Sequence, residues 1–179
     1  MAENEKVFYD VNMFRKGETL KDAVLTISGN IKSVNRRQSK QGKEYLAVEF
    51  ESVLGDKFVR ENFGENFVNP DHKVTFRFPI AGWRMADFEK YPPRWGQHHI
   101  CMLENMEIGS YTKKDGSTTY FVNCLGQLAS LGSRKKADGT DRPPVTIFGK
   151  GESAPAPAEA AVPAGADLEI LEDDADCPF

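Results

Sequence analysis

Residues 25 to 32 read Leu-Thr-Ile-Ser-Gly-Asn-Ile-Lys, the segment from which the fold class is most directly predicted. Leu25, Ile27 and Ile31 alternate with polar residues, which predicts a β-strand with one apolar face. Gly29 interrupts the apolar side, and a glycine inside a strand usually marks a bulge or the close approach of another backbone. A small closed barrel needs such a bend because one strand must serve both sides of the barrel. The stretch therefore predicts the bent first strand of a small β-barrel.

The alternation with a period of two continues to about residue 125 and predicts a mainly β protein. A polar connection with a turn glycine leads to a second strand that carries Leu46, Val48 and Phe50, so the first two strands form a long hairpin. Lys113-Lys114-Asp115-Gly116 predicts another hairpin farther along. Short strands joined by long hairpin loops predict an OB-type Greek-key barrel, and a β-sandwich of the same strands is the alternative.

Other segments have weaker patterns. Lys57-Phe58-Val59-Arg60 predicts a short third strand, and residues 81–97 form an irregular stretch with one helical turn that ends at two prolines. A returning strand is predicted over residues 118–125, and a last short strand over residues 145–147.

The charges are divided unevenly along the chain. Its 179 residues include 23 Lys or Arg and 27 Asp or Glu, for a formal net charge of -4. Residues 151–179 hold eight of the acids and no basic residue, so residues 1–150 carry a net charge of +4. Ala, Pro and Glu dominate from residue 151 onward, a composition that cannot bury enough apolar surface to order itself. We therefore predict an OB domain over residues 1–150, a flexible Ala/Pro-rich linker over residues 151–166 and an acidic tail over residues 167–179.

Several protein classes are excluded by what the sequence lacks. No apolar run approaches the roughly 18 to 20 residues of a membrane span, and residues 1–5 lack the basic start of a signal peptide. Three cysteines without C-x-x-C spacing indicate neither a disulfide framework nor a zinc ribbon, so we expect no metal and no cofactor. Phosphate-binding loop, nucleophile-elbow and zinc-protease motifs are missing, so we expect no enzyme. A cytoplasmic protein with no membrane partner is the simplest expectation.

Basic residues concentrate at three places that we call the basic tips. Only three aspartates accompany them, so the tips can surround a groove that follows a phosphate backbone. The first tip holds Arg36, Arg37, Lys40 and Lys43, the second Lys113 and Lys114, and the third Arg134, Lys135, Lys136 and Arg142. The alternative is that lysine-rich loops serve solubility alone.

Some aromatic residues stand beside cations rather than in the predicted core. Alternation with Leu46 turns Tyr45 outward, and Tyr111 opens the second basic tip. Such rings can stack on the bases of a single strand, although Trp83 and Trp95 can equally cover one end of the barrel. The predicted binding set for single-stranded DNA is Lys32, Arg36, Arg37, Lys40, Lys43, Tyr45, Arg77, Trp83, Tyr91, Trp95, Tyr111, Lys113, Lys114, Arg134, Lys135 and Lys136.

The tail provides a more specific signal. Residues 167–179 read Asp-Leu-Glu-Ile-Leu-Glu-Asp-Asp-Ala-Asp-Cys-Pro-Phe. This segment resembles the acidic tip of the single-stranded-DNA-binding proteins of bacteria and phages, which ends Pro-Phe and usually has Ile where this chain has Cys177. The body of the chain lacks the bacterial core sequence, which favours a phage-encoded member. The resemblance implies that Phe179 enters an apolar pocket on a partner. It implies a partner-binding set of Asp173, Asp174, Asp176, Pro178 and Phe179. A solubility tail is the alternative.

The resemblance and the basic tips together predict a nucleic-acid-binding domain over residues 1–150. The expected function is to bind and coat single-stranded DNA with little sequence preference during replication, recombination and repair in a bacterial host cell. Replication and repair proteins would be recruited through the tail, and a homo-oligomer is possible. The alternatives are an RNA-binding module of cold-shock type, a metal-dependent nuclease and a partner adaptor without a nucleic-acid role.

Overall fold

The structure, a computed structural model, describes residues 11–149. Seven strands and two α-helices follow one another along this part of the chain, with 3-10 turns at Leu20–Asp22 and Glu65–Phe67. The elements are β1 (Val11–Arg15), β2 (Val24–Gln38), β3 (Glu44–Val53), α1 (Asp56–Asn62), β4 (Lys73–Ala81), α2 (Trp83–Lys90), β5 (His99–Thr112), β6 (Thr118–Ser130) and β7 (Ile147–Phe148).

Five of the strands form a closed path. The strand order is β2-β3-β4-β6-β5, and β5 pairs back with β2. The β4–β6 pairing is parallel, and the other pairings around the path are antiparallel. This closure is that of an OB-type barrel, so the predicted fold class is confirmed, whereas two separate sheets of a sandwich would lack the β2–β5 pairing.

The bend in β2 lies at Gly29. Residues 24–29 pair with β5, and residues 30–38 pair with β3. A Cβ atom at this position would lie 2.2 Å from the carbonyl oxygen of Glu51. Only glycine permits this approach, because that distance is far below a van der Waals contact. The predicted bend is therefore confirmed, and it lets one strand serve both sides of the barrel.

The barrel interior is filled by the alternating apolar residues of the strands. Phe50, Phe76 and Leu25 are fully buried in it, as their positions in the sequence pattern predict, and Val122 of β6 is fully buried beside them. Phe63 closes part of the core with its ring 5.8 Å from that of Phe76. The core is thus formed by one face of each barrel strand, and the residues of the opposite face lie outside it.

Some sequence-based boundaries are wrong. Residues 57–60 belong to the helix α1 and not to a strand, because Val59 and Phe63, four residues apart, both face the core. Helix α2 has eight residues rather than one turn, although the two prolines do follow it. Strand β6 continues to Ser130 instead of ending at residue 125, since its second half pairs with β5. Val145 is buried but lies outside β7.

No helix within residues 11–149 is long and apolar enough to cross a membrane. The tail residues Asp173, Asp174, Asp176, Pro178 and Phe179 lie outside the described residues, as do residue 150 and the linker.

Candidate nucleic-acid interface

The three basic tips end in turns of one geometry. In each turn the N–H of the first residue donates to the carbonyl of the residue four positions later, and the N–H of the fourth residue donates back to the carbonyl of the first. The fourth residue is a glycine with φ of 80°, 87° or 86°, a conformation that glycine adopts without strain. The turns span residues 39–43, 113–117 and 136–140. The third tip, expected only as a basic loop, is therefore a hairpin like the other two.

An aspartate fixes each of the second and third turns. Asp115 accepts hydrogen bonds of 2.8 Å and 2.6 Å from the backbone and hydroxyl of Ser117, and Asp138 accepts the equivalent pair from Thr140. The hydroxyl hydrogen bond to each aspartate, followed by the backbone one, lowers the pKa of its carboxyl group. These acids shape the turns, which explains why they stand among the lysines.

The exposed cations of the tips are fewer than the sequence suggested. Six of the predicted cations are exposed and form no ion pair within residues 11–149. They are Lys40, Lys43, Lys114, Arg134, Lys135 and Lys136. Lys113 is half-buried beside Asp115. The accessible charge therefore lies at the turns themselves.

Other predicted cations are engaged by carboxylates on the barrel. Arg36 lies within β2 and pairs with Glu89 of α2 and, at 3.6 Å, with Glu44 of β3. Lys32 lies 4.0 Å from Glu51. The expectation that Arg36 belongs to the free end of the first tip is wrong, because the hairpin continues beyond it to residue 38.

A second buried layer covers the barrel strands on the side away from the core. We call it the outer layer. It consists of Arg37, Tyr45, Glu49, Arg77, Tyr111 and Phe121, all largely buried and none of them part of the core cluster. The guanidinium carbon of Arg77 lies 4.0 Å from the ring centroid of Phe121 and 5.6 Å from that of Tyr111. Its Nη2 lies 2.8 Å from Oε1 of Glu49. Within the layer, Arg77, Glu49, Tyr111 and Phe121 thus form a compact cation, carboxylate and aromatic cluster.

The outer layer corrects two predicted stacking residues. Tyr45 does lie on the face opposite the core, with Arg37 and Ala81 as its neighbours in the adjacent strands, but it is only 4% exposed. Tyr111 is 8% exposed and lies within β5 rather than in the loop. Arg37 and Arg77 are buried as well, at 4% and 6% exposed. Contact of these four residues with DNA stays a prediction, and it would require the layer to open.

Aromatic residues are exposed elsewhere, around helix α2. Trp83 begins the helix and is 76% exposed, and Tyr91 follows its end and is 68% exposed. The guanidinium carbon of Arg84 lies 5.9 Å from the Trp83 ring centroid, and Nζ of Lys90 lies 5.0 Å from that of Tyr91. Each ring therefore has a cation at its side and remains open to solvent, as stacking on a base requires.

A cavity of about 570 Å³ lies beside these rings, and we call it the α2 cleft. One wall is α2, and the opposite wall holds Arg94 and Arg134. The Nη1 of Arg94 donates a 2.9 Å hydrogen bond to the carbonyl of Arg142, which ties this wall to the base of the third hairpin. The sequence pattern missed the cleft because Arg134 and the residues of β6 that also line it are distant from α2 in the chain.

The two tryptophans have different positions. Trp95 is half-buried and packs against the core cluster, and its backbone N–H donates 2.9 Å to the carbonyl of Pro143. Trp95 thus takes the covering position that was the alternative for both tryptophans, whereas Trp83 does not.

The histidines do not gather with Cys101 into a metal site. Within residues 11–149 no cluster of three or more His, Cys, Asp or Glu side chains could hold a metal ion. His99 lines the base of the α2 cleft and is fully buried, and burial lowers its pKa, an effect that the backbone of Gln97 only partly opposes. Burial also raises the pKa of the Cys101 thiol to about 12. Both side chains are therefore neutral at physiological pH.

Comparison with known proteins assigns no family to this arrangement. No family model matches the chain, and no curated protein matches it with significant similarity.

Proposed function

We propose that this protein binds single-stranded DNA with little sequence preference. In OB folds, oligonucleotides bind over the second and third strands of the barrel, between the loop that joins strands one and two and the loop that joins strands four and five. In this barrel those loops are the turns at residues 39–43 and 113–117. The observation that carries the proposal is that both turns are basic tips.

The charges support a backbone-directed mode of binding. The six exposed cations of the tips are arginine and lysine side chains, which attract phosphates of any sequence. The domain as a whole carries +4, although the complete chain is acidic. Such binding is strengthened by release of counterions, so it should weaken steeply as salt is added.

The proposed biological role is to coat single strands during replication, recombination and repair. Recruitment of partner proteins through residues 167–179 is part of the proposal, and it rests on the resemblance of that segment to the acidic tips of single-stranded-DNA-binding proteins. Carboxylate and acidic-motif capture are established modes of peptide recognition. Deletion of Phe179 should abolish retention of replication proteins from a host lysate and leave DNA affinity nearly unchanged. Equal retention by both proteins would contradict the recruiting role.

The direct test is a titration of a fluorescent oligothymidine at several salt concentrations. With about five phosphates neutralised, log K should fall with log salt at a slope of roughly -3 to -4. The variant Lys40→Gln with Lys43→Gln should reduce the size of the slope by about 1.4, since each contact contributes about 0.7. Lys16→Gln with Lys57→Gln is the matched control, because both lysines are exposed and outside the tips.

Three results would contradict the proposal. Absence of binding would leave a partner adaptor, stronger binding of the matched oligoribonucleotide would favour an RNA-binding module, and cleavage of the oligonucleotide in Mg²⁺ or Mn²⁺ would indicate a nuclease. An unchanged slope in the Lys40 and Lys43 variant would remove the first tip from the interface.

A further inference from the structure

We infer that the α2 cleft is a base-stacking subsite for single-stranded DNA, in which Trp83 and Tyr91 hold unpaired bases and Arg134 holds a phosphate. This inference rests on the proposed function and adds to it a binding surface apart from the outer layer. The strand would pass from the turns of the basic tips over the helix α2.

The arrangement of the rings fits a strand rather than a single small molecule. Trp83 begins α2 and Tyr91 follows its last residue, so their backbone positions are about 12 Å apart at the helical rise of 1.5 Å per residue. Stacked bases are about 3.4 Å apart along one strand, so three to four nucleotide steps cover this distance. Both rings are among the most exposed large apolar side chains within residues 11–149, so neither needs to move before it stacks.

The cations that line the cleft are suited to attract the phosphates between those bases. Arg84, Lys90, Arg94 and Arg134 line the cavity, and Asp87 is the one acid that lines it. Arg134 is exposed and belongs to the third basic tip, so the cleft continues directly into a surface already assigned to the backbone. At the other end, Arg36 joins β2 to Glu89 of α2, which brings the first hairpin next to the helix.

The acidic peptide of residues 167–179 also has a charge that complements the cations of the cleft, but it does not have two aromatic rings. Residues 167–179 contain one aromatic side chain, Phe179. A single ring can occupy only one of two stacking positions about 12 Å apart. A strand with a base at every step can occupy both, and we therefore favour the nucleic acid.

Binding of a fluorescent oligothymidine by the full chain gives the affinity, and quenching of tryptophan fluorescence reports contact at Trp83; together they test the inference. Trp83→Ala and Tyr91→Ala should each weaken binding by about fivefold to 150-fold, the range for loss of one base–aromatic stack, and should leave the salt slope unchanged. Arg134→Ala should instead reduce the size of the salt slope by about 0.7. Trp83→Phe should retain most of the affinity, because it keeps a stacking ring, while losing most of the quenching by DNA.

Two matched controls separate the cleft from general effects. Ile108→Ala removes an exposed apolar side chain far along β5, and Arg60→Ala removes an exposed cation of α1, so neither should alter binding. The inference would be overturned if Trp83→Ala and Tyr91→Ala both bound oligothymidine as the wild type does. If the Lys40 and Lys43 variant still bound more weakly, the proposed function would stand. Absence of oligothymidine binding by the wild-type protein would overturn both the inference and the proposed function. Quenching of Trp83 by the peptide of residues 167–179, without quenching by oligothymidine, would make the cleft a peptide site and overturn the inference.

Discussion

The outer layer and the α2 cleft both combine aromatic rings with cations, but they differ in what surrounds the rings. In the outer layer Tyr111 and Phe121 flank Arg77, which also pairs with Glu49, and all four side chains are largely buried. In the α2 cleft the cations stand beside Trp83 and Tyr91 without covering them. The same residue types therefore form a structural cluster on a central part of the sheet and an accessible surface at a helix.

Part of the difference comes from the backbone. Opposite side chains in adjacent strands lie about 5 Å apart, so a strand residue meets the side chain across from it. A short surface helix meets the barrel along one face only, and here Phe88 is the buried residue of α2. Aromatic residues at the ends of such a helix remain exposed unless another segment packs on them.

Stability should respond most strongly in the outer layer. Tyr111→Ala should lower the free energy of unfolding by about 3 to 5 kcal/mol, the range for removal of a large buried ring. Trp83→Ala should change it by no more than about 0.5 kcal/mol, because the ring is exposed. Denaturant unfolding of the two variants measures the contrast, with Tyr111→Phe as the control that retains the ring. Equal effects of the two alanine variants would contradict the division into buried and open regions.

Breaking the ion pair of the outer layer should lower the free energy of unfolding by a similar or slightly smaller amount than Tyr111→Ala does. Arg77→Met leaves the buried Glu49 carboxylate without its partner, which should cost about 3 kcal/mol of folding stability. Replacing both residues, as Arg77→Met with Glu49→Leu, should recover much of the loss because neither charge of the pair is left buried. If the double variant is as unstable as the sum of the single ones, the pair does not act as a unit in this layer.

Folding stability should depend on pH through His99, which is buried beside the α2 cleft. The pKa of His99 in the folded protein lies below its unfolded value of about 6.5, so both states are neutral above that pH. Below it the unfolded state binds a proton that the folded state does not, and stability should fall by up to about 1.4 kcal/mol per pH unit. Thermal unfolding between pH 7.5 and pH 5, within the range of roughly pH 5 to 8 where His titrates, measures the loss.

The matched histidine variants assign that pH dependence. His99→Gln should flatten the dependence, whereas His98→Gln, at a half-buried neighbour, should leave most of it. Because His99→Gln itself alters a buried site, the comparison is between slopes against pH and not between absolute stabilities. A dependence that persists in His99→Gln would place its origin elsewhere.

The smallest expected effect concerns the link between the first hairpin and α2. Glu89→Gln removes one of the two carboxylates that pair with Arg36, so the guanidinium becomes more available to a phosphate. The salt slope of oligothymidine binding should become steeper by up to about 0.7, and stability should change by less than about 1 kcal/mol. Glu65→Gln, which frees Arg60 away from the tips, is the matched control. Weaker binding in Glu89→Gln would mean that the ion pair positions Arg36 for DNA rather than withholding it.

The barrel could be predicted from local patterns in the sequence. Leu25, Ile27 and Ile31 alternate, and Gly29 marks the place where β2 changes partners, because strand periodicity and the space next to a glycine are local properties of the chain. The hairpin turns at Gly42 and Gly116 were predictable for the same reason, since their left-handed backbone requires particular residues. Residues 57–60 were not, because α1 exists through contacts of Val59 and Phe63 with a core that strands from elsewhere complete.

Which rings and cations are accessible depends on contacts between segments that are distant in the chain. Alternation correctly set Tyr45 on the face opposite the core, but it did not predict that this side chain is only 4% exposed. The α2 cleft likewise needs Arg134, which lies more than 40 residues after the helix in the chain. Local patterns set the direction of a side chain, whereas its burial is the sum of neighbours that distant segments supply, and for that reason the candidate site was only partly predictable.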